Sequence, residues 1–262
     1  MRIATALLLA VFVLGFAAPA FAALKHKTVD YTVDGKSFQG YLAWDDAVTG
    51  KRPGIVVFPE WWGINDYSKK RADMLAGLGY VAFAADPYGD GKSTNNPAES
   101  GAWAGALRKD AKEWKARSMA AIKVLQDNPN VDGDKLGAIG YCFGGSTCLM
   151  LAYHGAPLKA IASFHGGMVV PTDAQAGSVK TKILSLTGAA DTGIPAEKIE
   201  EVKSKLDAHK VDSKFITYPG VVHSFTNPAA DSHGMKNMKY DEHADKESWT
   251  EMRKLFTATF GK

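Results

Sequence analysis

Lys135-Leu136-Gly137-Ala138-Ile139-Gly140-Tyr141-Cys142-Phe143-Gly144-Gly145-Ser146-Thr147-Cys148-Leu149-Met150-Leu151-Ala152 is the stretch that decides the fold. Its first five residues read as a strand and Ser146 to Ala152 as a helix, so the chain must turn sharply between them. Gly140 and Gly144 make that turn possible, because a side chain at either would clash with the neighbouring strand or helix. The turn lifts Cys142 to its apex, the position of a nucleophile. A thiol at a helix N-terminus sits in the positive end of the helix field, which favours thiolate. The Phe143 backbone N–H then points where a carbonyl oxyanion would form.

The first residues lie outside the fold. Arg2 is followed by an apolar run, Ile3 to Phe16, broken only by Thr5 and Gly15. Ala18-Pro19-Ala20-Phe21-Ala22 ends in the small-x-small pattern of signal peptidase. Residues 1–22 therefore read as a cleaved secretory signal, and residues 23–262 as a single α/β domain. The apolar run is short for a membrane span, and no stable membrane association is expected after cleavage. Export points to a periplasmic location. That domain length can bury a core without metals or disulfides. Loss of Arg2 lowers the formal charge from +3 to +2. There is no basic stripe, which argues against a nucleic-acid partner.

The chain has two cysteines, Cys142 and Cys148. Six residues apart on one helix, their Cα atoms lie about 9 Å apart, beyond the roughly 7 Å reach of a disulfide. Cys148 reads as a small core residue. Cys142 is then a free thiol in an oxidising compartment, which favours a chemical role.

Strand and helix alternate along the rest of the chain. Lys27–Val33 and Phe38–Trp44 form a β-hairpin around Asp34-Gly35. Pro53–Phe58 is a continuous apolar run, as in a strand covered on both faces. Asp66 caps a helix that ends at Gly79, Tyr80–Ala84 is the next strand, and Tyr88–Glu99 is a polar loop. Trp103–Gln126 reads as one long helix. Beyond the elbow come strands at 160–164, 183–187 and 214–218, a helix at 195–209, and a C-terminal helix with an apolar stripe of Trp249, Met252, Leu255, Phe256 and Phe260. This order predicts a mostly parallel sheet with helices on both faces.

Ligands of such sheets bind outside the carboxyl ends of the strands. Three reactive residues fall there: Cys142, Asp191 after the strand at 183–187, and His223 after the strand at 214–218. Nucleophile, acid, histidine is the chain order of an α/β-hydrolase triad. Cys142 would attack a carbonyl carbon, His223 would move the proton, and Asp191 would orient His223.

With these residues in place, the chain resembles the dienelactone hydrolase family, cysteine hydrolases of the α/β-hydrolase fold, from about Thr28 to the C-terminus. Gly140-Tyr141-Cys142-Phe143-Gly144-Gly145, Asp191 and His223-Ser224-Phe225 match its motifs, as does Pro59-Glu60-Trp61-Trp62-Gly63 after the first central strand. The resemblance implies a hydrolase of small carboxylic esters or lactones that needs no cofactor. It implies that Glu60 contacts the thiol and helps to form thiolate, and that the Trp61 backbone N–H joins that of Phe143 in the oxyanion hole. It also places two arginines around the namesake substrate's carboxylate. Here the corresponding loop reads Asp86-Pro87-Tyr88-Gly89-Asp90-Gly91-Lys92, and the second position is Asn227. A substrate other than the anionic dienelactone is therefore expected.

Trp61, Trp62, Tyr88, Trp103 and Phe225 are candidates for an apolar substrate pocket. His223, His233 and His243 lie ten residues apart, which fits no compact metal-ligand pattern, so no metal is expected. His165, after the strand at 160–164, is a second candidate base. Two other readings compete with a thiol hydrolase. One is a redox protein using Cys142, which lacks a Cys-x-x-Cys pair and a well-placed resolving thiol. The other is a non-catalytic binding protein on a hydrolase scaffold.

Overall fold

The computed structural model describes residues 24–261; the expected signal segment lies outside them. Among the described residues, eight strands form one sheet in the order β1-β2-β4-β3-β5-β6-β7-β8. The hairpin is β1 (Leu24–Val33) and β2 (Lys36–Asp45), antiparallel with Val33 opposite Lys36. β2 also pairs antiparallel with β4 (Val81–Ala84), so the hairpin extends the main sheet. All remaining pairs are parallel: β3 (Arg52–Phe58) with β4 and β5 (Val131–Tyr141), then β6 (Ala160–Phe164), β7 (Lys182–Gly188) and β8 (Ser213–Tyr218). Every residue of β3, β4 and β6 is buried, as parallel strands covered on both faces require.

The helices are α1 (Asp66–Gly77), α2 (Pro97–Lys109), α3 (Ala111–Gln126), α4 (Phe143–Tyr153), α5 (Asp173–Ser178), α6 (Ala196–Ala208) and α7 (Glu242–Phe260). They cover two hydrophobic clusters, one on each face of the sheet. The first centres on Phe83, Ile122 and Leu149, the second on Leu75, Ile139 and Phe256. Among the described residues, no helix is long and apolar enough to cross a membrane.

Several boundaries differ from the sequence expectation, each for a local reason. Asn65, not Asp66, caps α1: its side chain accepts from the Ser68 backbone N–H, and Ser68 completes a capping box. The long helix expected over 103–126 is two helices. Asp110 leaves helical geometry (φ −114°, ψ 81°), ends α2, and caps α3 by accepting from the Glu113 N–H. α2 also begins earlier, at Pro97, behind the Asn96 cap. Pro195 is the N-cap of α6 and not its first helical residue.

Candidate active site

The elbow is a steric construction. A Cβ added at Gly140 would lie 2.0 Å from the Gly144 carbonyl oxygen, and one at Gly144 would lie 2.1 Å from that of Phe58. β5 can turn into α4 at this spacing only with both side chains absent. Cys142 takes the strain, at φ 52° and ψ −112°, in a region where L residues are rare. Its thiol is part-exposed, whereas Cys148 is fully buried, and both are free. Burial pushes the Cys148 thiol pKa well up.

Asp191 and His223 meet in front of this elbow. His223 Nδ1–H donates to Asp191 Oδ2 at 2.6 Å, which leaves Nε2 for the thiol. The second Asp191 oxygen, Oδ1, accepts from the Gly193 N–H and from Asn237 Nδ2, both at 2.9 Å. Burial opposes the Asp191 charge, but the bonds from His223, Asn237 and Gly193 outweigh it and hold the carboxyl below its usual pKa. Burial also opposes the His223 charge. There the Cys142 charge, the Asp191 bond and a hydrogen bond with the Cys142 thiol prevail, and the imidazole pKa lies well above its ordinary value. Imidazole and carboxylate are thus linked by a short hydrogen bond, and the raised His223 pKa reflects both Cys142 and Asp191.

The two backbone N–H groups expected to form an oxyanion hole lie on segments that flank the elbow. Phe143 opens α4 and Trp61 lies on the loop after β3. Among the described residues, neither backbone N–H is spent on another acceptor. Tyr88 closes over this loop, its hydroxyl donating to the Trp61 carbonyl at 2.9 Å.

Glu60 is nearly fully buried, and both of its oxygens are occupied. Oε1 accepts from Ser224 Oγ at 2.6 Å and Oε2 from Asn227 Nδ2 at 2.7 Å. Asn227, one of the two positions where the resemblance implies an arginine, therefore clasps this carboxylate. In the loop 86–92, where the other is expected, Asp86 is buried and accepts the backbone N–H groups of Gln39, Tyr88, Gly89 and Gly91. It orders its own loop and presents no cation.

The aromatic candidates separate. Trp62 and Phe225 are fully buried. Trp62 stacks on His233 with ring centroids 4.0 Å apart, and Phe225 packs against His165 and Tyr218. Both are core residues behind the site and do not line an open pocket, which corrects the sequence expectation; tight packing leaves them no exposed face. Trp61, Tyr88 and Trp103 keep partial exposure. His165 also stands apart from the role of base. It is fully buried at φ 39°, Nδ1 accepts the Cys142 backbone N–H at 3.1 Å, and Nε2 lies 2.7 Å from Thr226 Oγ1. Burial, the neighbouring His223 and Arg71 hold its pKa well below the usual value.

Asn237, Ser224, Asn227 and Thr226 escaped the sequence reading as functional residues. Asn237 is 46 positions from Asp191, and no spacing rule connects them. The other three follow His223 so closely that their proximity was the one available signal.

Known proteins similar to this chain share its fold and family. The family model described as the dienelactone hydrolase family matches residues 38–260. A protein of Synechocystis sp. provisionally named a carboxymethylenebutenolidase is 30% identical over 88% of this chain and 96% of its own. A solved structure titled m3DLH is 42% identical, covers 91% of this chain and 99% of its own, and superposes with a TM-score of 0.88. Another, titled as a dienelactone hydrolase-like promiscuous phosphotriesterase, P91, from metagenomic libraries, is 41% identical with the same coverage and TM-score. Fold, motifs and relatives agree: the chain belongs to the dienelactone hydrolase family, hydrolases built on the α/β-hydrolase fold.

Proposed function

We propose that this hydrolase cleaves a carboxylic ester or lactone through Cys142, His223 and Asp191, by way of an acyl-thioenzyme. The observation that carries the reading is the Asp191–His223 bond of 2.6 Å, aimed at a thiol on a strained elbow. The thiolate attacks the carbonyl carbon, and the oxyanion is received by the N–H groups of Phe143 and Trp61. His223 gives its Nε2 proton to the departing alkoxide as the tetrahedral adduct collapses to a thioester. The same nitrogen then takes a proton from water. The resulting hydroxide attacks the thioester, and collapse returns the thiolate and a carboxylic acid. Asp191 stays ionised and keeps the imidazole oriented. Glu60 would assist thiolate formation only after leaving Ser224 and Asn227, so in this reading its turn toward the thiol accompanies substrate entry.

The substrate is not the namesake anionic dienelactone in this reading. Asn227 stands where one arginine would be needed and is committed to Glu60, and the loop 86–92 carries no arginine, its Lys92 being paired with Asp90. The names of relatives point to lactones, and one relative to phosphotriesters, so both belong among the substrates tried. The decisive assay is hydrolysis of a small lactone, as free carboxylate and as neutral ester, by wild type and by Cys142→Ala. Turnover of the neutral form that vanishes in the variant supports the proposal. An active Cys142→Ala protein, or a wild type inert on every ester and lactone, would sink it.

Residues 1–22 are proposed to be a signal that exports the enzyme to the periplasm, with Ala23 as the mature N-terminus. N-terminal sequencing of the fractionated protein tests this. An intact Met1 would count against it.

A further inference from the structure

A cavity of about 280 Å³ opens at the carboxyl edge of the sheet, beside the triad. Two of its walls are bonded directly to triad residues. Ser146, in the first turn of α4, donates its N–H to the Cys142 carbonyl at 3.1 Å, and its hydroxyl donates to Gly167 O at 2.9 Å. On the facing loop, Ile194 N–H donates to the Asp191 carbonyl at 3.1 Å, next to Gly193. The lining is mixed: Trp114, Met168, Val169 and Ile194 supply apolar surface beside the polar groups. Two cations stand on the lining, Arg108 from the end of α2 and Lys198 from α6, and no acidic residue does.

The two cations differ. Lys198 is paired with Glu201 at 2.6 Å in an exposed contact, which contributes little. Arg108, among the described residues, has no carboxylate within 4.0 Å. Its guanidinium lies 5.1 Å above the ring of Phe143, the residue whose N–H faces the oxyanion position. Burial first, then the Cys142 charge, raise the Tyr88 phenol pKa, while Arg108 and Arg117 oppose the rise. Phe143 directly follows Cys142 in the chain, so the guanidinium stands over the residue next to the thiol. A planar cation with no carboxylate partner, at a cavity lined in part by Trp114, Met168 and Ile194, suits a ligand with an apolar body and a terminal carboxylate.

We propose that Arg108, supported by Lys198, is a specificity-determining residue that holds the remote carboxylate of an ester whose apolar body fills this cavity. The proposal rests on the hydrolase reading above and names its substrate class: an ester carrying a carboxylate separated from the scissile carbonyl by an apolar chain.

The test uses two near-isosteric esters, mono-4-nitrophenyl adipate, an anion, and its neutral methyl diester. The readout is the ratio of kcat/KM for anion over neutral. Arg108→Gln should lower that ratio by about fivefold, chiefly through KM for the anion, as loss of an exposed guanidinium–carboxylate contact implies. Arg108→Lys should restore part of it, and added salt should shrink the wild-type ratio toward that of the variant. A ratio that stays within twofold in Arg108→Gln overturns the proposal, as does an equal loss on both esters. A second measurement needs no turnover. The adipic mono-anilide should bind Cys142→Ala protein, and adding Arg108→Gln should weaken that binding about fivefold. If wild type cleaves neither ester, the hydrolase reading fails. Arg108-dependent anilide binding would then keep the anion site, and its absence would remove that too.

Discussion

His165 Nδ1 accepts the backbone N–H of Cys142 at 3.1 Å, and the same N–H also reaches the Phe164 carbonyl at 3.0 Å. With Nδ1 an acceptor, the proton of this neutral ring sits on Nε2 and is donated to Thr226 Oγ1. Thr226 in turn meets the Tyr67 hydroxyl at 2.7 Å. The nucleophile's peptide is thus moored to a buried polar chain, and the ring that moors it lies edge-on to His223 with centroids 5.0 Å apart. Both nitrogens of His165 are committed, so it cannot serve as the base. We expect His165→Phe to lower kcat about tenfold and His165→Gln, whose amide can accept the N–H, to recover part of it. His223→Gln should cost about a thousandfold or more, within the usual range for a general base. Equal losses at the two histidines would contradict this division of roles.

Asn237 holds the Asp191 oxygen that His223 does not use. Asp191→Asn should reduce kcat by about two to four orders of magnitude, because the amide favours the wrong imidazole tautomer. Asn237→Ala should cost about tenfold, since Gly193 still anchors Oδ1. Steady-state kinetics with one activated ester checks both, and a larger loss at Asn237 than at Asp191 would refute the ordering.

The pH dependence follows from the two shifted groups. The Asp191 pKa is depressed in the folded protein, so its contribution to stability is present above its unfolded value, about 3.9. That contribution is lost as pH falls through the lower folded value. The His223 pKa is raised, so its contribution is complete below its unfolded value, about 6.5. It is lost as pH rises through the higher folded value. Because the Cys142 charge is the largest influence raising His223, Cys142→Ala should move the His223 titration downward. Imidazole proton or nitrogen shifts measured against pH will show it, and an unchanged midpoint would contradict the coupling.

Arg71 is a buried cation whose removal should be costly. It donates to Asp245 and, at 2.6 Å, to the Thr226 carbonyl, and it lies over the rings of Tyr67, Tyr141 and Trp249 at 5.2–5.4 Å. Arg71→Ala leaves the largely buried Asp245 unpaired and should destabilise the fold by about 3–5 kcal/mol. A denaturant midpoint shift with unchanged slope would report it. A loss below about 1 kcal/mol would mean that water replaces the guanidinium.

At the elbow, Gly144→Ala would press a methyl group against backbone that cannot yield, 2.1 Å from Phe58 O. We expect loss of soluble protein or a penalty of about 3 kcal/mol. In contrast, Gly105→Ala on α2 meets nothing within 4 Å and should be neutral or slightly stabilising.

Much of the architecture was legible because its signals are local. Continuous apolar runs marked β3 and β6, and the apolar stripe marked α7. Residues placed just after β5, β7 and β8 marked Cys142, Asp191 and His223. The break at Asp110 was not legible, because Trp103, Leu107, Trp114 and Leu125 continue a helical pattern across it and only the backbone dihedrals interrupt it. Nor was the fate of Trp62 and Phe225, since an aromatic beside a reactive residue reads the same whether it faces a cleft or the core.

Local sequence signals were enough for the sheet, for the elbow and for placing Cys142, Asp191 and His223 at one edge of it. Those depend on side-chain volume, backbone freedom and spacing along one strand or turn. Packing alone set how Asp191 is held by Asn237, what engages Glu60, which histidine has both nitrogens occupied by buried partners, and which cation lies over the Phe143 ring. Each of these joins segments far apart in the chain, and the balance of burial against hydrogen bonding that settles them exists only once the segments are packed.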